Sequence, residues 1–129
     1  MIERLKKVIE ERNLVSVMNN TKWEKLANSL MDLGKDEPYV RVKDIYDEES
    51  SGFSLFDWTF SEYSPSRLEW VDISPIRKVR RGRLVADFEI DNTEIVHEAI
   101  LKSQVPYSME GNNFRVWGYF EAGTIPEFL

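Results

Sequence analysis

Acidic residues at alternate positions are the first hint of chemistry in this chain. Asp87, Glu89 and Asp91 are interleaved with Phe88 and Ile90, and on a strand residues two apart point the same way, so their carboxylates form a ladder on one face. Hard oxygen ligands in that arrangement suit Mg²⁺ or Mn²⁺ and the metal-assisted hydrolysis of a phosphodiester, with Lys43 or Glu69 as helpers. The plainer reading is a solvated strand face whose charges discourage edge-to-edge aggregation, and no spacing brings a further catalytic group to the ladder. The single histidine, His97, lies between the apolar positions of an expected helix, beside Glu94 and Glu98, which puts it on the surface or at the edge of a core rather than in a catalytic constellation. Neither a Gly-x-Ser-x-Gly elbow nor a glycine-rich phosphate loop occurs. With no cysteine, thiolate nucleophiles, thiolate zinc sites and disulfides are excluded. No cofactor is expected.

A second constellation suits recognition. Asp47, Glu48 and Glu49 form an acidic turn, and Asp57-Trp58 follows shortly after. If Phe114, Val116 and Phe120 face a core, then Arg115, Trp117 and Tyr119 make a row on the opposite face. Arginine and the large aromatics are enriched in binding hot spots because each offers wide contact area with a polar handle. The competing reading has a helix or loop covering that face, which would make the row ordinary core. A third reading is a pocket for an uncharged ligand lined by Trp58, Trp70 and Trp117.

Charge is unevenly spread. The 129 residues carry 17 basic and 23 acidic side chains, a net −6. Residues 36–74 hold three bases against ten acids, whereas residues 75–86 hold Arg77, Lys78, Arg80, Arg81 and Arg83 and no acid. The overall acidity argues against nucleic acid as a partner, because a long polyanion would be repelled by the rest of the surface. It favours a basic protein, since opposite potentials steer encounter. Apolar stretches are only a few residues long, so no membrane span is expected, and the cytoplasm is the expected compartment.

The elements that position these groups follow from apolar spacing. A helix is expected over about residues 2–13, with Ile2, Leu5, Val8 and Ile9 on one face. Thr21 and Glu24 read as a capping box opening a second helix that buries Trp23, Leu26, Ala27, Leu30 and Met31 and ends at Gly34. Alternation predicts strands at Val40–Lys43, Phe53–Trp58, Leu68–Ile73 and Leu84–Ile90. The apolar phase of Leu68–Ile73 changes between Trp70 and Val71, which calls for a bulge or for cover on both faces. A third helix begins near Asp91–Glu94 and buries Ile95, Val96, Ala99 and Ile100. Tyr107–Met109 and Phe114–Phe120 flank Glu110–Asn113 as a hairpin. The expected fold is α+β, a mainly antiparallel sheet of about five strands with three helices packed on one face, in a single domain over residues 1–129. A chain of this length buries roughly two-thirds of its unfolded surface without a staple.

Three stretches carry a family resemblance: Met18-Asn19-Asn20-Thr21-Lys22-Trp23, Leu68-Glu69-Trp70-Val71-Asp72-Ile73-Ser74-Pro75 and Arg115-Val116-Trp117-Gly118-Tyr119. Together they resemble an uncharacterised family of small bacterial proteins, a domain of unknown function, over roughly residues 15–123. In size, charge and element order the chain is also similar to small acidic immunity proteins of bacterial toxin systems, which implies a basic toxin as partner. The expectation is a non-enzymatic protein-binding module, an immunity protein or antitoxin among the candidates. Its contacts would come from Asp47, Glu48, Glu49, Asp57, Trp58, Arg115, Trp117 and Tyr119. The alternative is a metal-dependent phosphodiesterase on Asp87, Glu89 and Asp91.

Overall fold

The computed structural model describes residues 2–79, 82, 83, 85 and 88–129. Helices α1 (Ile2–Arg12), α2 (Asn20–Met31) and α3 (Thr93–Ser103) alternate with strands β1 (Leu14–Ser16), β2 (Val40–Asp44), β3 (Leu68–Ile73), β4 (Ile76–Val79), β5 (Phe88–Asp91), β6 (Tyr107–Glu110), β7 (Asn113–Trp117) and β8 (Tyr119–Glu121). Every ladder is antiparallel, so the α+β class with antiparallel pairing stands. The central sheet has four strands in the order β2-β3-β7-β6, and two-stranded ladders β1-β8 and β4-β5 flank it.

Strand register sorts the central sheet into two faces. Val40 pairs with Ile73 and Ile73 with Phe114, while Val42 pairs with Val71 and Val71 with Val116. This apolar face meets Trp23, Leu26 and Leu30 of α2 and Val96 and Ile100 of α3 in the main core. The out-of-phase residues between them form the other face: Arg41 opposite Asp72 opposite Arg115, and Lys43 opposite Trp70 opposite Trp117. A period of two therefore puts an ionic row and an aromatic row opposite the helices.

The phase change expected between Trp70 and Val71 is not a break there, since the register runs unbroken through both; the bulge lies earlier in the strand. Lys43 pairs with Trp70 and Asp44 with Leu68, which leaves Glu69 as the extra residue. Helix α1 lies over a smaller cluster: Leu5, Val8 and Ile9 pack with Leu14, Ile45, Tyr46 and Tyr119.

Several local expectations change. The side chain of Asn19, not Thr21, caps α2, accepting from the Lys22 amide at 2.9 Å, so the anticipated capping box falls inside the helix. Phe53–Trp58 forms no strand beyond one bridge, Val40 with Ser54. Phe56 and Trp58 instead fold inward, with Phe56 meeting Trp58, Phe60 and Tyr63 edge-to-face. Residues 76–79, read only as part of a basic run, are strand β4, whose Arg77 donates to the Lys35 and Glu37 carbonyls. Ile95 is exposed, whereas Val96, Ala99 and Ile100 are buried. The hairpin turn between β6 and β7 sits where expected, with Gly111 at a φ of +61° that glycine adopts without strain. Among the described residues no helix is long and apolar enough to cross a membrane.

Candidate functional site

Asp47, Glu48 and Glu49 follow β2 and are exposed. Among the described residues none of the three closes an ion pair. Beside them lies a concavity of about 520 Å³ lined by Asp47, Glu49, Asp44, Phe56, Tyr63 and Arg67, among others. The aromatic wall exists because the 53–63 segment turns back across the core instead of pairing as a strand.

At its base Asp44 is buried and fully engaged. It accepts from the Tyr63 hydroxyl at 2.6 Å, the Tyr46 amide at 2.8 Å and the Arg67 guanidinium at 2.7 Å. Burial first, and then the hydrogen bond to Asp44, push the Tyr63 hydroxyl well above the usual tyrosine range, so it stays a donor. Arg67 lies about 5.1 Å from both the Tyr46 and the Tyr63 ring centres, and Arg4 sits 4.0 Å over Tyr46. The chain thus already seats its own guanidiniums against the tyrosines of this region. Asp44, Asp47 and Glu49 against Arg67 leave the concavity net negative.

The opposite sheet face is electrostatically closed. Asp72, wholly buried, accepts from Arg41 Nε and Nη2 at 2.9 and 2.8 Å and from Arg115 Nε and Nη2 at 2.6 and 2.9 Å. The Arg115 guanidinium lies 3.7 Å over the Trp70 ring and 5.5 Å from Trp117. Trp117 Nε1 donates to Ser108 Oγ at 2.9 Å. Glu69, the bulged residue, accepts from Arg12 at 2.6 and 3.0 Å and from Lys43 at 3.1 Å. Burial is the largest influence on Glu69 and works to raise its pKa. The hydrogen bonds and charges of Arg12 and Lys43 outweigh it and hold the carboxyl below the ordinary value.

The residues singled out from sequence therefore scatter. Asp47, Glu48 and Glu49 belong to the acidic concavity and its rim. Asp57 is exposed and bound into a local turn, accepting from the Thr59 amide and hydroxyl at 3.1 and 2.6 Å, bonds that hold its carboxyl below the usual range. Trp58 is not a surface anchor: it is 3% exposed and part of the main core. Arg115 and Trp117 do share the face opposite the helices, half-buried. Tyr119 does not join them. Gly118 breaks the alternation, because its amide donates to the Glu69 carbonyl at 2.8 Å and any Cβ there would lie 2.0 Å from the Leu68 carbonyl oxygen. Beyond that crossing the chain continues as β8, Tyr119 is buried in the α1 cluster with its hydroxyl on Ser66 O, and Phe120 packs against Phe128. Trp58 lies in the core while Trp70 and Trp117 share the other face, so the three tryptophans line no common pocket.

The carboxylate ladder is only partly placed. Asp87 lies outside the described residues. Glu89 faces Lys78 across β4-β5, and Asp91 is occupied at the start of α3, where Oδ1 accepts from the Thr93 amide at 2.9 Å and hydroxyl at 2.5 Å. Among the described residues no group of three His, Cys, Asp or Glu is placed to hold a metal ion. His97 hydrogen-bonds the Tyr107 hydroxyl at 2.7 Å and stacks on Phe114, at the core edge as expected. Sequence reading missed Asp44, Tyr63 and Arg67 as one group. The Asp-to-Tyr spacing of 19 residues carries no periodic signal, and the inward fold of the aromatic segment is what joins them.

A family model described as a family of unknown function, DUF6678, matches residues 5–123, nearly the stretch over which the sequence resembled an uncharacterised family. No curated protein and no solved structure matches the chain.

Proposed function

We propose that this chain, which belongs to that family of unknown function, is a protein-recognition module whose acidic concavity receives a basic segment of a partner. One observation carries the reading: Asp47, Glu48 and Glu49 are exposed, and unpaired among the described residues, beside a concavity that has Phe56 and Tyr63 for walls and an engaged carboxylate, Asp44, for a base. Unpaired rim carboxylates attract a cation at long range, and aromatic walls give its alkyl stem and guanidinium plane something to pack on. The anchors are therefore Phe56 and Tyr63 rather than Trp58 and Tyr119. A basic toxin held by an immunity protein or antitoxin is the kind of partner this surface fits.

The test is calorimetric titration with an arginine- and lysine-rich peptide at low and moderate salt. Affinity is expected to fall with salt and to drop about tenfold or more in the double variant Asp47→Lys/Glu49→Lys, with the unfolding midpoint unchanged. Affinity that ignores both salt and charge reversal overturns the proposal.

A further inference from the structure

A second concavity, separate from the acidic one, opens between the β6–β7 hairpin and the β4-β5 ladder. The β6–β7 turn, Glu110 to Asn113, forms one wall and Lys78 with Glu89 of β4-β5 the other, enclosing about 710 Å³. Arg41, Pro75 and Ile76 line it as well, together with the rings of Tyr39 and Phe53. The volume falls in the range of small-molecule sites.

Its charges are balanced in sign, Arg41 and Lys78 against Glu89 and Glu110, and Glu110 also lies 3.7 Å from Arg115. Lys78 and Glu89 are direct cross-strand neighbours, yet among the described residues neither closes an ion pair. Arg41 is rigid, because Nε and Nη2 both bind buried Asp72; its Nη1 has no partner among the described residues. Phe53 is 42% exposed and Tyr39 37%, with Arg41 and Arg77 each about 4.9 and 4.8 Å from one ring. Both rings border the same concavity as the four charged groups.

A simple anion would meet Glu89 and Glu110, and a simple cation would meet Arg41 and Lys78. A ligand carrying both charges close together and an apolar body satisfies all of these groups at once. We propose that this cleft binds a free zwitterionic α-amino acid with an apolar or aromatic side chain. Its carboxylate is held by Arg41 and Lys78, its ammonium by Glu89 and Glu110, and its side chain packs on Phe53 and Tyr39.

The test is saturation-transfer NMR of the full chain with each of the standard amino acids at about 10 mM, followed by calorimetry on those that bind, since a site of this kind is expected at about 1 mM or tighter. Apolar or aromatic members are expected to bind saturably. Their methyl esters, which lack the carboxylate charge, and their N-acetyl forms, which lack the ammonium, are each expected to bind several-fold more weakly. Lys78→Met and Glu89→Gln, both exposed and outside the core, are expected to weaken binding several-fold without moving the unfolding midpoint. The proposal is overturned if no amino acid binds, if only charged ones do, if the ester and the acetyl form bind as well as the parent, or if both variants bind normally. Because the cleft shares no lining residue with the acidic concavity, none of these outcomes bears on peptide binding there.

Discussion

Asp72 and Glu69 on one side, and Asp47, Glu48 and Glu49 on the other, are the same functional group put to opposite uses. The first pair is buried and saturated with donors: Asp72 by two guanidiniums, Glu69 by Arg12 and Lys43. The second set is exposed and closes no ion pair among the described residues. A buried carboxylate that loses its partners, or partners that lose their carboxylate, leaves a desolvated charge uncompensated. An exposed one keeps its hydration and is free to exchange it for a partner's cation. The difference teaches that the acidic character of the chain is not one property: part of it fastens a sheet, and part of it is available for binding.

That contrast breaks most visibly at Asp72. Replacing it by Ala leaves Arg115 over Trp70 and Arg41 beside Phe53 with no carboxylate between them, and stability is expected to fall by about 3–5 kcal/mol. The urea midpoint reads this directly, and a loss under about 1 kcal/mol would mean the sheet face does not depend on the pair. Glu69→Gln is expected to cost somewhat less, about 2–3 kcal/mol near neutral pH, because Arg12 is partly solvated and keeps Glu121 at 3.3 Å. It also has a pH signature. The Glu69 carboxyl titrates lower in the folded chain than the ordinary 4.5, so its contribution is present above that value and is lost as pH falls through the lowered folded value. The parent chain should weaken as pH drops below about 4.5, and Glu69→Gln should lose less over the same interval. An acid limb of identical steepness in both proteins would remove Glu69 from the account.

The sheet was legible in sequence wherever its signal is local. Val40 and Val42, and Phe114 and Val116, each report on a strand through a period of two, and the structure places them as that period requires, while the irregularity read after Trp70 sits at Glu69 instead. The row Arg115, Trp117, Tyr119 was half legible. Its first two members follow the alternation, and Gly118 ends it for a reason no pattern shows: the chain passes so close to Leu68 O that a side chain has no room. The aromatic segment misled for the converse reason. Phe56, Trp58 and Phe60 also recur every second residue, but a strand needs a partner as well as a period, and beyond Ser54 none is paired. Packing of the rings against one another and the core replaces the missing ladder. Asp72 with Arg41 and Arg115, and Asp44 with Tyr63 and Arg67, were invisible because register and loop path, rather than spacing, bring them together across 31, 43, 19 and 23 residues.

Asp44 stands between the two classes, since it is buried and paired yet lines the acidic concavity, and Tyr63→Phe probes that intermediate position. The substitution removes one donor from a carboxylate that keeps Arg67 and the Tyr46 amide, so the expected loss is about 1 kcal/mol in thermal or denaturant unfolding. The ring remains, and peptide binding is expected to persist. A loss as large as that at Asp72 would place Asp44 wholly with the structural carboxylates.

The smallest effect is expected where the charge is most conspicuous. Neutralising the turn with Asp47→Asn, Glu48→Gln and Glu49→Gln together removes three negative charges from adjacent positions but no ion pair, no core contact and no cap. Stability should stay within about 0.5 kcal/mol of the parent in moderate salt. In low salt it should rise slightly, because three like charges in one turn repel one another over a Debye length of about 30 Å at 0.01 M ionic strength. The same triple variant is expected to lose most of its affinity for a basic peptide, which separates the two roles in one protein: a fold that does not notice the loss and a binding surface that does. A clear drop in stability would instead mean that these carboxylates hold the 44–51 segment in place. In that case the exposed acids would have to be reassigned from recognition to structure, and the concavity beside them would lose its attraction for a cation.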